Sequence, residues 1–216
     1  MLQEFENIIA STSLKKLRFD IGLSYCPPNT KQWLQECKDT LVIAVEPVRS
    51  SFESSALCLR EYMGKNNNTL VMMNCAFDNV PEPTTAKINV TAGDPGCSSL
   101  FELSEIPYPK DREEIVNVLP FSYVLSKIDW EKFEKVEYLK VDTQGKDLSI
   151  MKSAKEFHDK FSLVEIESTT NNEYVNAPTQ KEVLEYMEES GFRFIEDCPD
   201  AGGIDKMFIY EGVKND

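Results

Sequence analysis

Short continuous apolar runs alternate along this chain with longer stretches in which apolar residues recur at helical spacing, so strands and helices are expected to take turns. Residues 3–15 set Phe5, Ile8, Ile9 and Leu14 on one side of a leading helix. A strand follows at 16–23, and Asn29 with Thr30 can cap a helix that carries Trp33 and Leu34. A second strand at 40–47 ends in Glu46 and Pro47, and the helix at 50–64 turns Phe52, Ala56, Leu59 and Met63 inward. Residues 68–78 read as a third strand.

Between residues 79 and 115 the pattern gives way to Pro, Gly and Ser, with one alternating strand at 86–91 and a loop at 93–100. Order returns with a short strand at 116–119, a helix at 122–128 and a strand from Val136 that ends in Asp142. A helix at 146–160, a strand at 162–168 and a helix at 179–190 opened by the Thr179 and Glu182 capping box come next. Two final strands, 192–196 and 206–210, flank a turn at 200–203. This order predicts one α/β domain over 1–216, a three-layer sandwich whose sheet is mostly parallel with an antiparallel C-terminal hairpin.

Composition narrows the partners. A formal charge of −14 among 216 residues, with no run of Lys and Arg, opposes a phosphate backbone, so nucleic acid and anionic membrane surfaces are not expected as partners. No long apolar run suggests membrane insertion and no signal-peptide pattern opens the chain, so a soluble cytoplasmic protein is expected. The six cysteines have neither zinc-ligand spacing nor companion histidines, and suit a reduced compartment.

Three acids stand at three expected strand ends: Asp20 with Gly22, Glu46, and Asp142 ahead of Gly145. In an open α/β sheet that rim binds ligands, and a carboxylate at the second strand end can accept both hydroxyls of a ribose. Gly22 would let the backbone approach such a ligand closely. The glycine-rich pyrophosphate fingerprint is missing, so a ribose-bearing ligand without phosphates fits better than a dinucleotide. The bland alternative is that Asp142 merely caps the following helix.

His158 sits among charged residues and is expected on a solvated surface, which leaves carboxylates to act as bases: Asp142 first, then Glu165 or Glu167. Glu165 and Glu167 share one strand face. Either Glu167 joins Asp142 in holding Mg²⁺ or Mn²⁺, or the two glutamates pair with Lys140 on the neighbouring strand. The stretch 171–174 reads as a substrate loop.

The same residues carry a family resemblance. Asp20-Ile-Gly22, Ile43-Ala-Val-Glu-Pro47, Asn74-Cys-Ala-Phe-Asp78, Gly96-Cys-Ser-Ser-Leu100, Leu139-Lys-Val-Asp-Thr-Gln-Gly-Lys-Asp147 and Ile150-Met-Lys-Ser-Ala154 resemble the FkbM-type S-adenosylmethionine-dependent methyltransferases, whose pivotal stretch reads K-I-D-x-E-G-x-E. The resemblance spans about residues 17–197. It implies a class I methyltransferase fold, S-adenosylmethionine as cofactor, and O-methylation of a sugar, glycan or other small hydroxylated acceptor.

By position, it implies that Asp20 and Gly22 lie under the methionine part, Glu46 at the ribose, Ala76 and Phe77 beside the adenine, and Ser24, Tyr25, Asn29, Pro47 and Ser99 also on the cofactor. Ser98, Gln144, Glu167 and Asn171 would face the acceptor, and Asp142 would be the catalytic acid beside the transferred methyl. Two positions depart from the pattern: Pro27-Pro28-Asn29-Thr30 stands where a second glycine is usual, and Gln144 replaces the customary Glu. A nicotinamide-dependent oxidoreductase and a non-catalytic binding module remain as rivals.

Overall fold

A computed structural model describes residues 2–168, 173–198 and 205–213. Asn171 and the turn at 200–203 lie outside the described residues. Helix α1 (Leu2–Ser11) precedes β1 (Lys16–Ile21), α2 (Pro28–Glu36), β2 (Thr40–Val45), α3 (Arg49–Leu59) and β3 (Thr69–Met73). Then come β4 (Ala76–Asp78), β5 (Thr84–Thr91), β6 (Lys110–Pro120), α4 (Phe121–Leu125), α5 (Trp130–Phe133) and β7 (Val136–Val141). Helix α6 (Asp147–Ser153), β8 (Phe161–Glu167), α7 (Gln180–Glu189), β9 (Phe192–Asp197) and β10 (Asp205–Tyr210) complete the described order.

A seven-stranded sheet runs β3-β2-β1-β7-β8-β10-β9. Its first five strands are parallel, while β10 pairs antiparallel with both β8 and β9. This is the expected sandwich with its terminal hairpin. Strand order reverses between β1 and β7, and such a switch point opens a crevice at the carboxyl ends of the strands. Both faces of β2 are covered, which is why its run Leu41-Val-Ile-Ala-Val45 is apolar throughout rather than alternating. Beneath the sheet Phe121 stacks between Phe77 and Phe161 and meets Phe19 edge-on. No helix among the described residues is long and apolar enough to cross a membrane.

Four local expectations need correction. Residues 68–78 are two strands in two sheets: the chain leaves the large sheet at Asn74, whose amide donates to the Glu46 and Pro47 carbonyls at 2.8 and 3.0 Å. The inserted region is a three-stranded sheet, β4-β6-β5, because β6 begins well before the expected 116 and pairs antiparallel along β5. The outward face of β6 is charged, with Lys87 and Lys110 both bound to Glu113. Its inward residues Val116 and Val118 pack on Ile88 and Val90.

Helix α3 turns Ser51, Ser55 and Leu59 inward, whereas Phe52 and Ala56 are half-buried and Met63, past its end, is exposed. Small polar residues let α3 lie close to the loop after β1, where Ser55 Oγ donates to the Ser24 carbonyl. Finally, the helix expected over 146–160 breaks after Ser153 into a 3₁₀ turn that buries His158. Its Nε2 lies 3.0 Å from the Met151 carbonyl, and Phe192, Tyr186 and Phe161 surround the ring, so His158 is a core residue remote from the rim.

Candidate active site

The ends of β1, β2 and β7 are tied together by backbone bonds. The N–H groups of Gly22 and Leu23 both donate to the Val45 carbonyl at 3.0 Å, and that of Asp142 donates to Ile21 at 2.9 Å. Gly22 has φ +91°, and a Cβ there would stand 1.6 Å from the Asp142 carbonyl oxygen. The glycine is therefore required by contact between two strand ends, where the sequence suggested contact with a ligand.

Above this seam lies a cavity of about 320 Å³. Gly22, Ser24, Tyr25, Glu46, Pro47, Ala76, Phe77, Ser98, Asp142 and Gln144 all reach its wall, as do Val48, Ile88, Asp94, Cys97 and Lys146. Four expected site residues lie outside that wall. Asp20 is buried beneath the rim, where its Oδ2 accepts the Thr30 hydroxyl at 2.6 Å and the Thr30 N–H at 3.2 Å. The missing second glycine explains this: the loop runs through Pro27 and Pro28 straight into α2, whose first turn brings Thr30 onto Asp20. Asn29 points to Glu165 instead. Ser99 is a fastener, donating to the Gln144 carbonyl at 2.7 Å and accepting from the Phe101 N–H. Glu167 stands behind Gln144.

Glu46 is held by two backbone donors, Ser24 N–H on Oε2 at 2.8 Å and Val48 N–H on Oε1 at 2.7 Å. Each oxygen keeps a further lone pair. Burial pushes its pKa up to about 7, although both N–H donors work against the rise. Asp147 is also pushed up by burial, and by the nearby Asp142 charge, to about 6.

These two shifts set a sign for stability against pH. The folded chain binds more protons than the unfolded chain between roughly pH 4 and 7, so stability falls as pH rises through that window. Burial raises the Asp20, Glu167 and Asp205 carboxyls in the same sense, whereas the lowered His158 and Asp142 act oppositely. Each displaced pKa unit corresponds to about 1.4 kcal/mol, so Glu46 alone contributes roughly 3 kcal/mol. The urea midpoint should therefore be higher at pH 5 than at pH 8; a midpoint that rises with pH would contradict the buried placement of these carboxyls.

Asp142 is the centre of a polar network. Its Oδ2 accepts Lys140 Nζ at 2.8 Å and its Oδ1 accepts Gln144 Nε2 at 2.8 Å. Burial alone would raise its pKa, but Lys140 and the hydrogen bonds from Lys140, Gln144 and Glu167 outweigh burial and leave it below the ordinary carboxylate value. Glu167 is driven the other way, its pKa raised well above the ordinary carboxylate value by burial and by the Asp142, Asp147 and Asp205 charges. The same Gln144 nitrogen also donates to Glu167 at 3.0 Å, while Gln144 Oε1 accepts the Tyr174 hydroxyl at 2.5 Å.

That network corrects the metal expectation. Asp142 and Glu167 are bridged by the Gln144 carboxamide, and Lys140 is already paired with Asp142. A divalent ion would need about six oxygen ligands, and no group of three or more His, Cys, Asp or Glu side chains suited to a metal exists among the described residues. Lys140 pairs with Asp142 rather than with the two glutamates; Glu165 accepts the Tyr138 hydroxyl and lies off the cavity.

The sequence signals for Tyr174 and Asp94 were positional only, a loop after a strand end and an irregular insert. The family model described as the methyltransferase FkbM domain matches residues 25–194. The chain belongs to that family. Matching a methyltransferase model over most of its length, this FkbM domain presents Glu46 and Asp142 to one cavity at the sheet's switch point. No curated protein sequence matches significantly.

Among solved structures, the fold is similar to an rRNA-methylase candidate from Clostridium thermocellum, with TM-score 0.50 and 8% identity over 98% of this chain and 96% of that one. The N-terminal domain of human METTL16 in complex with SAH gives TM-score 0.44 and 9% identity, covering 97% of this chain and 68% of the other. TrmK of M. capricolum, in complex with S-adenosyl-homocysteine, gives 0.42 and 10%, covering 98% and 70%. The fold of this FkbM domain is that of a class I S-adenosylmethionine-dependent methyltransferase.

Proposed function

We propose that this FkbM domain methylates a hydroxyl of a neutral sugar, or of a similar small hydroxylated acceptor, using S-adenosylmethionine. The observation that carries the reading is the placing of Glu46 and Asp142 on one wall of a single cavity. The cavity fits the cofactor. Val48, Ala76, Phe77 and Ile88 form an apolar wall suited to a purine, and the free lone pairs of Glu46 suit a ribose diol. S-adenosylmethionine, when bound, supplies an electrophilic methyl group on a sulfonium.

The chain's own residues then have distinct tasks. Asp142, kept ionised by Lys140, takes the proton that the acceptor hydroxyl loses as its oxygen gains the methyl. Gln144 fixes the direction of that carboxylate, and Tyr174 fixes the direction of Gln144. Three acids on the wall, Glu46, Asp94 and Asp142, disfavour an anionic acceptor; the lining cation Lys146 already lies 2.9 Å from Asp78. Tyr25, 41% exposed at the wall, offers a ring on which an apolar sugar face can stack.

Titration with S-adenosylhomocysteine tests the cofactor, and methyl transfer across a panel of neutral sugars tests the acceptor. Binding without turnover on any sugar would refute the sugar acceptor; absence of binding would leave a module that does not use this cofactor. A sharper check concerns Glu46. Replacing it with Ala should weaken S-adenosylhomocysteine binding by roughly 1–3 kcal/mol, the scale of a charged hydrogen bond, and unchanged affinity would refute the ribose assignment.

A further inference from the structure

Asp94 is the carboxylate on the cavity wall to which the reading above gives no ligand group of its own. Its Oδ1 accepts the Gly96 N–H at 2.9 Å, and its carbonyl accepts the Thr91 hydroxyl at 2.6 Å, so the residue is pinned on both sides. Ser98 reinforces the loop by donating to the Pro95 carbonyl at 2.7 Å. Both oxygens of Glu46, and both of Asp142, already have protein donors. Among the described residues no protein hydrogen bond reaches Asp94 Oδ2.

The place of Asp94 along the cavity matters as much as its free oxygen. Ile88, within β5, belongs to the apolar wall suited to the purine, whereas Asp94 follows the end of that strand. At about 3.3 Å per residue, the strand carries the chain roughly 10 Å from Ile88 to Thr91, ahead of the turn that holds Asp94. The loop of Asp94 abuts the loop after β1: a Cβ on Gly96 would stand 2.9 Å from Ser24 Oγ, and Ser24 N–H holds Glu46. Asp94 is also the foremost influence raising the Tyr25 phenol above its ordinary pKa, which puts the carboxylate beside that ring. Asp20, the acid that the resemblance sets under the methionine part, is closed off by Thr30 and does not line the cavity.

We infer that Asp94 holds the α-ammonium of the cofactor's amino-acid end, replacing the sequestered Asp20 with an acid from the inserted sheet. The inference rests on the S-adenosylmethionine reading. It assigns each acid on the wall a separate partner: Glu46 the ribose, Asp142 the reacting hydroxyl, and Asp94 the ammonium. The small sheet would then complete the cofactor site.

Two ligands separate the possibilities. S-adenosylhomocysteine carries the amino-acid end, and 5′-methylthioadenosine has the same nucleoside without it. Calorimetric titration of both into wild type, Asp94→Asn and Asp94→Ala should show S-adenosylhomocysteine weakened about 10-fold or more in each variant, the scale of a lost charged hydrogen bond. Methylthioadenosine affinity should stay within about 2-fold of wild type. Unchanged S-adenosylhomocysteine affinity would overturn the inference, and so would equal losses for both ligands, which would mean that the loop and not the ammonium was disturbed. If Asp94→Ala does not fold, Asp94→Asn keeps an oxygen for Gly96 N–H and reads the charge alone. A wild type that binds neither ligand removes the cofactor reading and this inference together; one that binds both, with unaffected variants, removes this inference only.

Discussion

Gly22→Ala should cost at least about 4 kcal/mol, enough to leave the chain unfolded or nearly so at 25 °C, since whole domains are stable by only about 5–15 kcal/mol. Two terms combine. The residue sits at φ +91°, where an L side chain costs about 1–2 kcal/mol, and its Cβ would overlap the Asp142 carbonyl oxygen at 1.6 Å. No side chain can swing aside, because the obstacle is backbone. Relief requires β1 and β7 to part, which breaks the Asp142–Ile21 bond and strains the two bonds onto Val45.

Gly64→Ala serves as the control. Gly64 also has a left-handed backbone, at φ +74°, but nothing lies within 4 Å of an added Cβ. Its loss should be only the backbone cost, about 1 kcal/mol. The difference between the two urea-derived stabilities therefore reads the steric term. A Gly22→Ala loss no larger than that of Gly64→Ala would show that the strand ends are not in contact.

Strand ends were legible in the sequence because acids, Gly and Pro punctuate apolar runs locally. That is how Glu46, Asp142 and Gly22 could be brought to one rim, and how the Thr179 capping box could be placed. What stayed hidden depends on distant partners. Strand β6 was masked by its charged outward face, since Lys110-Asp-Arg-Glu-Glu114 has no alternation until β5 lies beside it. Asp20 and Asp142 look equivalent as sequence, yet Thr30, ten positions on, closes the first, while Lys140 on the same strand keeps the second charged. His158 lies in a polar stretch, and only the 3₁₀ break after Ser153 turns it inward. Gln144 looked like a lost acid. In the fold it is a donor that two carboxyls need, and a glutamate there would set a third acid against Asp142 and Glu167.

Asp142→Asn should lower turnover by about 10²-fold or more while S-adenosylhomocysteine affinity stays near wild type, the scale expected for a lost general base. Asp142 is a weak base, because Lys140 holds its pKa below the ordinary value. A weak base suffices here. As the acceptor oxygen gains the methyl its own proton becomes strongly acidic, so what matters is an ionised oxygen in the right place at that moment, not high basicity. The carboxamide removes that oxygen's charge and also sets an NH₂ group against either Lys140 or Gln144, both of which are donors. Lys140 is then left with only Asp20 and Asp205 as neighbouring charges and no paired carboxylate oxygen on Asp142, so a loss of stability should accompany the loss of rate, and S-adenosylhomocysteine binding shows that the variant is folded. The pH profile separates charge from shape. Wild-type kcat/KM should be flat across the neutral range as far as Asp142 is concerned, since a carboxylate held below its usual pKa is already ionised there. Wild-type turnover in Asp142→Asn would remove Asp142 from proton transfer and leave the cofactor site of Glu46 standing without it.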